Sequence, residues 1–223
     1  MVPYDRNKPI IVIHTPKTAG TSAYQIFKSW FGNNLLDHYY DPYTKSNPRK
    51  YDIWNLHDYQ KPVAIYGHFN KARQFGIKDY YPDVTQFITF LRDPYEINIS
   101  YYFYQKKRSN LRNDIFSPPE GTIEEFLKKS KSNILNFFPS DITFDNFKDI
   151  IEENYIEIGL VEFFEESFIK ISEKLNMPFN KSMLCHLNET TRNHEISKEL
   201  KDIFIANNQL EYAIYNYILN KYS

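Results

Sequence analysis

Apolar residues fall along this chain in two rhythms, short continuous runs and stripes at helical spacing. Ile10 to Ile13, just after Pro9, is a continuous β-branched run of the kind buried on both faces of a sheet. Val63 to Tyr66, Phe87 to Leu91 and Ile156 to Val161 repeat that pattern, which predicts four strands. Between them, Ala23, Tyr24, Ile26, Phe27, Trp30 and Phe31 recur at helical spacing and stop at Gly32-Asn33-Asn34. Further helices are expected over 95–107, with Pro94 acceptable in the first turn, and over 126–138, 144–154 and 163–175. A helical tail is expected over 197–222. Residues 37 to 61 are polar and aromatic without period, broken by Pro42 and Pro48, and read as a long irregular excursion.

Strands alternating with helices imply an α/β fold, a central parallel sheet covered by helices on both faces. Ligands then belong at the carboxyl ends of the strands. In this chain those ends carry His14 to Ser22, Gly67-His68 and Arg92-Asp93. No internal repeat, low-complexity segment or second-domain boundary is evident, so residues 1–223 read as one domain.

Composition narrows the chemistry. With 27 Lys+Arg against 28 Asp+Glu, the chain lacks the basic excess of a general nucleic-acid binder, so any anion site must be local. One cysteine, Cys185, supports no disulfide framework, and no Cys/His ligand spacing suggests a metal. With no signal-peptide pattern and no apolar run long enough to span a bilayer, a cytoplasmic address is expected. The 19 Tyr and 18 Phe fit a coding bias, so a single aromatic residue is weak evidence. Glycine is scarce, only six residues, and two of the six, Gly20 and Gly67, adjoin the best chemical candidates.

The turn from the first strand into its helix reads His14-Thr15-Pro16-Lys17-Thr18-Ala19-Gly20-Thr21-Ser22. A helix N-terminus offers unpaired backbone N–H groups and the positive end of the dipole, a natural seat for phosphate or sulfate. Gly20 allows close approach, Lys17 adds a charge, and Thr18, Thr21 and Ser22 add hydroxyls. The purpose is that of a Walker A loop but the order is not, because Lys17 precedes Gly20 by three residues. A well-capped helix with a surface lysine is the plainer alternative.

This nonapeptide after a buried strand resembles the 5'-phosphosulfate-binding loop of the sulfotransferases, particularly the branch containing the heparan-sulfate 2-O-sulfotransferases and many bacterial carbohydrate sulfotransferases. Leu91-Arg92-Asp93-Pro94-Tyr95, with Ser100 eight residues beyond the arginine, is similar to the family's 3'-phosphate-binding segment. A guanidinium fork at a strand end and a hydroxyl on the next helix suit a phosphate. Residues 155–167, Leu187-Asn188-Glu189-Thr190 and 208–215 resemble later parts of the family. The resemblance implies a donor, 3'-phosphoadenosine-5'-phosphosulfate (PAPS), leaving as adenosine 3',5'-bisphosphate (PAP) without a metal. It places the donor on Pro16, Lys17, Thr18, Ala19, Gly20, Thr21, Ser22, Arg92 and Ser100. The acceptor it implies is a hydroxyl, of a glycan or glycoconjugate.

Sulfuryl transfer to an alcohol needs in-line placement, charge compensation on the leaving phosphate, and removal of the acceptor proton. Lys17 meets the second need. The helix from Ala19 to Phe31 contains no Asp, Glu or His, so the base must come from elsewhere. His68, ending the second strand after Gly67, can face the cradle, and Tyr66-Gly67-His68-Phe69 is similar to the catalytic-histidine segment of the 2-O branch. Where that branch carries a further histidine, this chain has Tyr66. His14 is expected to orient the loop or to make a structural hydrogen bond, and His57 is a reserve base. His38, His186 and His194 are expected at the surface or capping turns. Lys106-Lys107-Arg108 with Arg112 reads either as a solvated helix end or as help for an anion, and Lys71 and Arg73 admit the same two readings. Two alternatives stay open: a P-loop-type nucleotide kinase with Asp93 on magnesium, and a non-catalytic nucleotide- or glycan-binding module.

Overall fold

A computed structural model describes residues 1–112, 115, 117–184 and 198–222. Its centre is a parallel sheet of five strands among the described residues: β1 (Ile10–Ile13), β2 (Leu35–His38), β3 (Ala64–Gly67), β4 (Phe87–Leu91) and β5 (Tyr155–Leu160). Their spatial order is β2-β3-β1-β4-β5. Every residue of β1, β3, β4 and β5 is buried, as continuous apolar runs require when helices cover both faces.

The pleat divides the apolar residues between two cores. Ile10, Val12, Ala64, Tyr66, Ile88, Phe90 and Ile156 face Ala23, Ile26, Phe27 and Phe31 of α1 (Gly20–Phe31) and Phe168, Ile171 and Leu175 of α7 (Phe164–Leu175). Ile11, Ile13, Ile65, Phe87, Leu91 and Ile158 face the other way. They meet α4 (Pro94–Leu111), α5 (Ile123–Lys129), α6 (Phe147–Asn154), α8 (Lys198–Asn207) and α9 (Gln209–Leu219). The helix after β1 and the helix after β4 thus leave adjacent strands toward opposite faces. That divergence opens a crevice at the carboxyl edge, where ligands bind in open α/β sheets.

Register fixes what meets there. Ile13 pairs with Gly67, and Gly67 pairs with His38, so β1, β3 and β2 end level. The next residues, His14, His68 and Tyr39, are brought side by side.

Several sequence expectations are corrected. The last two residues of edge strand β2, Asp37 and His38, fall in the stretch that the sequence reads as loop, because Leu-Leu-Asp-His lacks a strand's usual signature. The excursion also holds a single helical turn, α2 (Ile53–Leu56), and another, α3 (Ile77–Tyr80), precedes β4. The helix expected over 126–138 is α5 alone followed by a 3-10 turn at Ile134–Phe137. Thr122 and Glu125 form a capping box that sets its start. The continuation fails because the Ser132 amide donates to Asn208 Oδ1 (2.6 Å) and not to a helical carbonyl. The tail breaks at Asn208, whose side chain also donates to Phe204 O (2.8 Å). Among the described residues no helix is long and apolar enough to cross a membrane.

Candidate active site

The loop from β1 into α1 holds Lys17 and Ala19 in the left-handed region, at φ 67° and 57°. Each such residue costs about 1–2 kcal/mol against the right-handed form, so the surroundings must impose it. They do so through Thr18 Oγ1, which donates to Thr15 O (2.7 Å), and Tyr66 OH, which donates to Gly20 O (2.6 Å). Arg92 Nη1 adds a longer contact to Lys17 O (3.4 Å). Thr15 is fixed in turn beside Thr89, whose hydroxyl donates to Ile13 O (2.9 Å).

Alternating right- and left-handed residues turn successive amides toward one concavity, a nest for an anion. The N–H groups of residues 17–21 donate to no described residue. Ala19, at the N-cap of α1, has no side chain to satisfy them, and the first turn holds no acidic residue. Gly20 is required there, because a Cβ would run into the imidazole of His14. Of the expected hydroxyls, Thr21 is exposed, Ser22 is buried, and Thr18 is buried with its hydroxyl committed to Thr15 O.

Lys17 pairs with no described carboxylate, and its Nζ lies 4.4 Å from the centroid of the Tyr104 ring. Burial, and then the charges of Arg92 and Lys107, push its pKa down. Of these three cations Arg92 has Glu96 beside it, whereas Lys17 has no described carboxylate partner, so a phosphate or sulfate at Lys17 would relieve the crowding. Lys107 therefore belongs to the cradle's field. Arg108 instead donates to Tyr104 OH (2.6 Å), and Arg112 lies over Tyr43, 5.2 Å to the ring centroid. Lys71 is held by Asp141 (2.6 Å) and by Ser140 O (3.1 Å).

Arg92 follows β4, with Glu96 3.6 Å away. Burial lowers its pKa, while Glu162, Asp93 and Tyr215 act in the opposite direction. Ser100 is buried on α4, one turn before Tyr104 on the same face, hence on the side that receives Lys17. No hydrogen bond joins Ser100 to Arg92 among the described residues. Beside the loop, a cavity of about 180 Å³ is lined by Pro16, Ile97, Asn98, Tyr101 and Phe126 among others. A larger one, about 350 Å³, lies near the start of β5 between Met1, Glu157, Lys174 and Lys221, away from the crevice.

His68 stands at the edge of the cradle. Its Nδ1 is 2.5 Å from His14 O, and its ring centroid is 4.3 Å from that of His14. A carbonyl only accepts, so Nδ1 carries the proton and the lone pair sits on Nε2. Burial pushes the His68 pKa below the ordinary imidazole value; the bond to His14 O opposes this and Arg73 adds to it. His14 is pushed well below by burial first, then by His68 and Lys17.

Two histidines differ from expectation. His38 is wholly buried, stacked on Phe69 at 4.1 Å, and burial lowers its pKa to about 4; it is a core residue, not a surface one. His57 is no reserve base, because Nε2 meets Arg6 O (3.1 Å) and Nδ1 accepts from Val63 N (3.1 Å), which ties the excursion to the sheet. Tyr39 and Tyr104 escape sequence reasoning, since 19 tyrosines hide any one of them, and Tyr66 stands out there only as the residue in a histidine's place. For Tyr104 the available signal is its spacing, four residues after Ser100. Cys185, His186, Leu187 to Thr190 and His194 lie outside the described residues. Among the described residues no cluster of His, Cys, Asp or Glu could hold a metal ion.

Comparison with known proteins places this geometry. No curated protein matches the chain. Mouse sulfotransferase SULT7A1, solved in complex with PAP, is similar at 16% identity and TM-score 0.45 over 79% of this chain. The chain spans 61% of that protein's length. A sulfotransferase from Alicyclobacillus acidocaldarius is similar at 14% identity and TM-score 0.51, over 93% of this chain and 96% of its own, a likeness of fold. A family model described as "Sulfotransferase family" matches residues 2–166, covering the β1 loop, His68, Arg92 and Ser100. The chain belongs to the sulfotransferase family.

Proposed function

We propose that this chain transfers a sulfuryl group from PAPS to a hydroxyl of a carbohydrate, with His68 as general base. The observation that carries the reading is the pairing of an uncapped, amide-lined cradle with a base whose lone pair is held on Nε2. The carbohydrate class rests on the resemblance of residues 66–69 to the 2-O branch.

When bound, the donor supplies the sulfuryl group and a phosphate that keeps the electron pair of the broken S–O bond. The nest amides of residues 17–21 and Lys17 stabilise the charge gathering on that phosphate. Arg92 and Ser100 hold the 3'-phosphate. His68 Nε2 takes the acceptor's O–H proton as the new S–O bond forms, and afterwards releases it to water. Because its pKa lies below the ordinary value, His68 is unprotonated at neutral pH. A base must be free, so kcat/KM should rise with pH through a midpoint below about 6.5 and level off above it.

A kinase reading would need Asp93 for magnesium. Its Oδ1 accepts from Tyr95 N (2.9 Å) and Tyr212 OH (2.7 Å), and its Oδ2 from Lys201 Nζ (2.8 Å), so the carboxylate is committed to the fold.

The test is labelled PAPS offered with panels of saccharides, small alcohols and tyrosyl peptides. Label is expected on saccharides, with transfer by His68→Ala reduced about 100-fold or more and PAP affinity nearly unchanged. Full activity in His68→Ala would remove the base assignment, and label confined to tyrosyl peptides would remove the carbohydrate.

A further inference from the structure

His68 shares the sheet edge with a second imidazole that comes from the cradle loop. The pairing of Ile13 with Gly67 sets the following residues beside each other, and the two rings lie 4.3 Å apart at 34°. The ring of His14 is gripped on two sides. Its Nδ1 lies 2.8 Å from Tyr39 OH, and its Nε2 edge rests over Gly20, where a Cβ would collide with it. Gly20 is itself pinned by Tyr66 OH on its carbonyl (2.6 Å). Tyr39 closes the arrangement edge-on against His68, ring centroids 5.0 Å apart.

We propose that His14 is the positioning residue for His68: its clamped ring fixes the backbone carbonyl that holds the His68 proton on Nδ1, and its face, packed at a tilt against His68, limits the plane in which Nε2 is presented. The proposal rests on the reading of His68 as the base. An unrestrained imidazole places its proton on either nitrogen, and a ring with the proton on Nε2 cannot accept from an alcohol there. Second partners that fix tautomer and plane are a general requirement of working histidines. In this chain the second imidazole sits on the cradle, where Tyr66 occupies the strand position.

The groups around His68 favour an uncharged pair. His14 faces it from the first loop, His38 and Tyr39 from the end of β2 and Arg73 from the turn beyond, while Lys17 and Tyr66 act on His14. Asp37 acts on Tyr39, whose hydroxyl burial keeps protonated. His14, neutral between these groups, leaves His68 free to take a single proton.

The experiment is a long-range 1H–15N correlation spectrum of the histidine side chains across pH, for the full chain and for His14→Ala and Tyr39→Phe. The unaltered chain should show His68 only as the Nδ1–H tautomer. His14→Ala should show both tautomers and a His68 midpoint moved up toward about 6.5. Its kcat should fall about tenfold or more, with PAP affinity within about twofold. Tyr39→Phe, which removes one hydroxyl and leaves the ring, should move the same readouts less and serves if His14→Ala does not fold. An unchanged tautomer and midpoint in the variants overturns the proposal. Failure of the base reading is separate: it appears as activity retained in His68→Ala, whatever the spectra show.

Discussion

The junctions leading from β1 into α1 and from β4 into α4 occupy equivalent places on adjacent parallel strands, yet they do opposite things with their polar groups. At the second, Asp93 caps α4, Pro94 needs no partner at N1, Glu162 takes the Asp93 amide (2.9 Å), and Lys201 and Tyr212 fill the remaining carboxylate positions. That junction is saturated, and it anchors α8 and α9 to the sheet. At the first, Ala19 occupies the N-cap with no capping side chain, and consecutive amides face outward without a described partner. A helix that caps itself has used its dipole; one that does not has it to offer. The difference between a saturated junction and an open one is here one residue at the N-cap, and Arg92 of the second junction reaches Lys17 O of the first (3.4 Å).

The contrast can be broken from either side. Ala19→Asp should do most, since Asp tolerates a left-handed backbone and would place a carboxylate on the open amides. PAP affinity by calorimetry is expected to fall about 100-fold, near 2.7 kcal/mol, while the melting temperature does not fall. Retained affinity would show that the amides are not the seat. Asp93→Ala should give the mirror result. It removes the cap and leaves Lys201 and Tyr212 without their acceptor, costing about 2 kcal/mol in urea unfolding with PAP affinity changed less than about tenfold. Arg92→Lys should sharpen the comparison with the smallest effect. Keeping charge but losing the fork, it should weaken PAP binding about fivefold without a change in stability.

Much of this was legible along the chain because it is local. Four of the strands, the stop at Gly32 and the turn from strand to helix at residues 14–22 follow from runs and spacings a few residues long. Misreadings occurred where a distant group overrode local preference. Ser132 spends its amide on Asn208 across 76 residues, which ends a helix that the apolar pattern would continue. His38, polar in a mixed segment, is taken into the core because Phe69, Tyr80 and Tyr81 enclose it. Thr122 and Glu125 show that some of the missing information was present as a capping box and was outweighed by the apolar stripe after it.

Residue types at the strand ends, the order of lysine and glycine in the first loop, and the absence of any base on its helix were properties of the sequence by itself. Which imidazole stands beside which tyrosine was not, because Tyr39 and His68 lie 25 and 54 residues beyond His14 and meet it through strand register. Register is chosen by burying two faces of a sheet at once, a condition that involves the whole chain and leaves no mark on any short stretch of it.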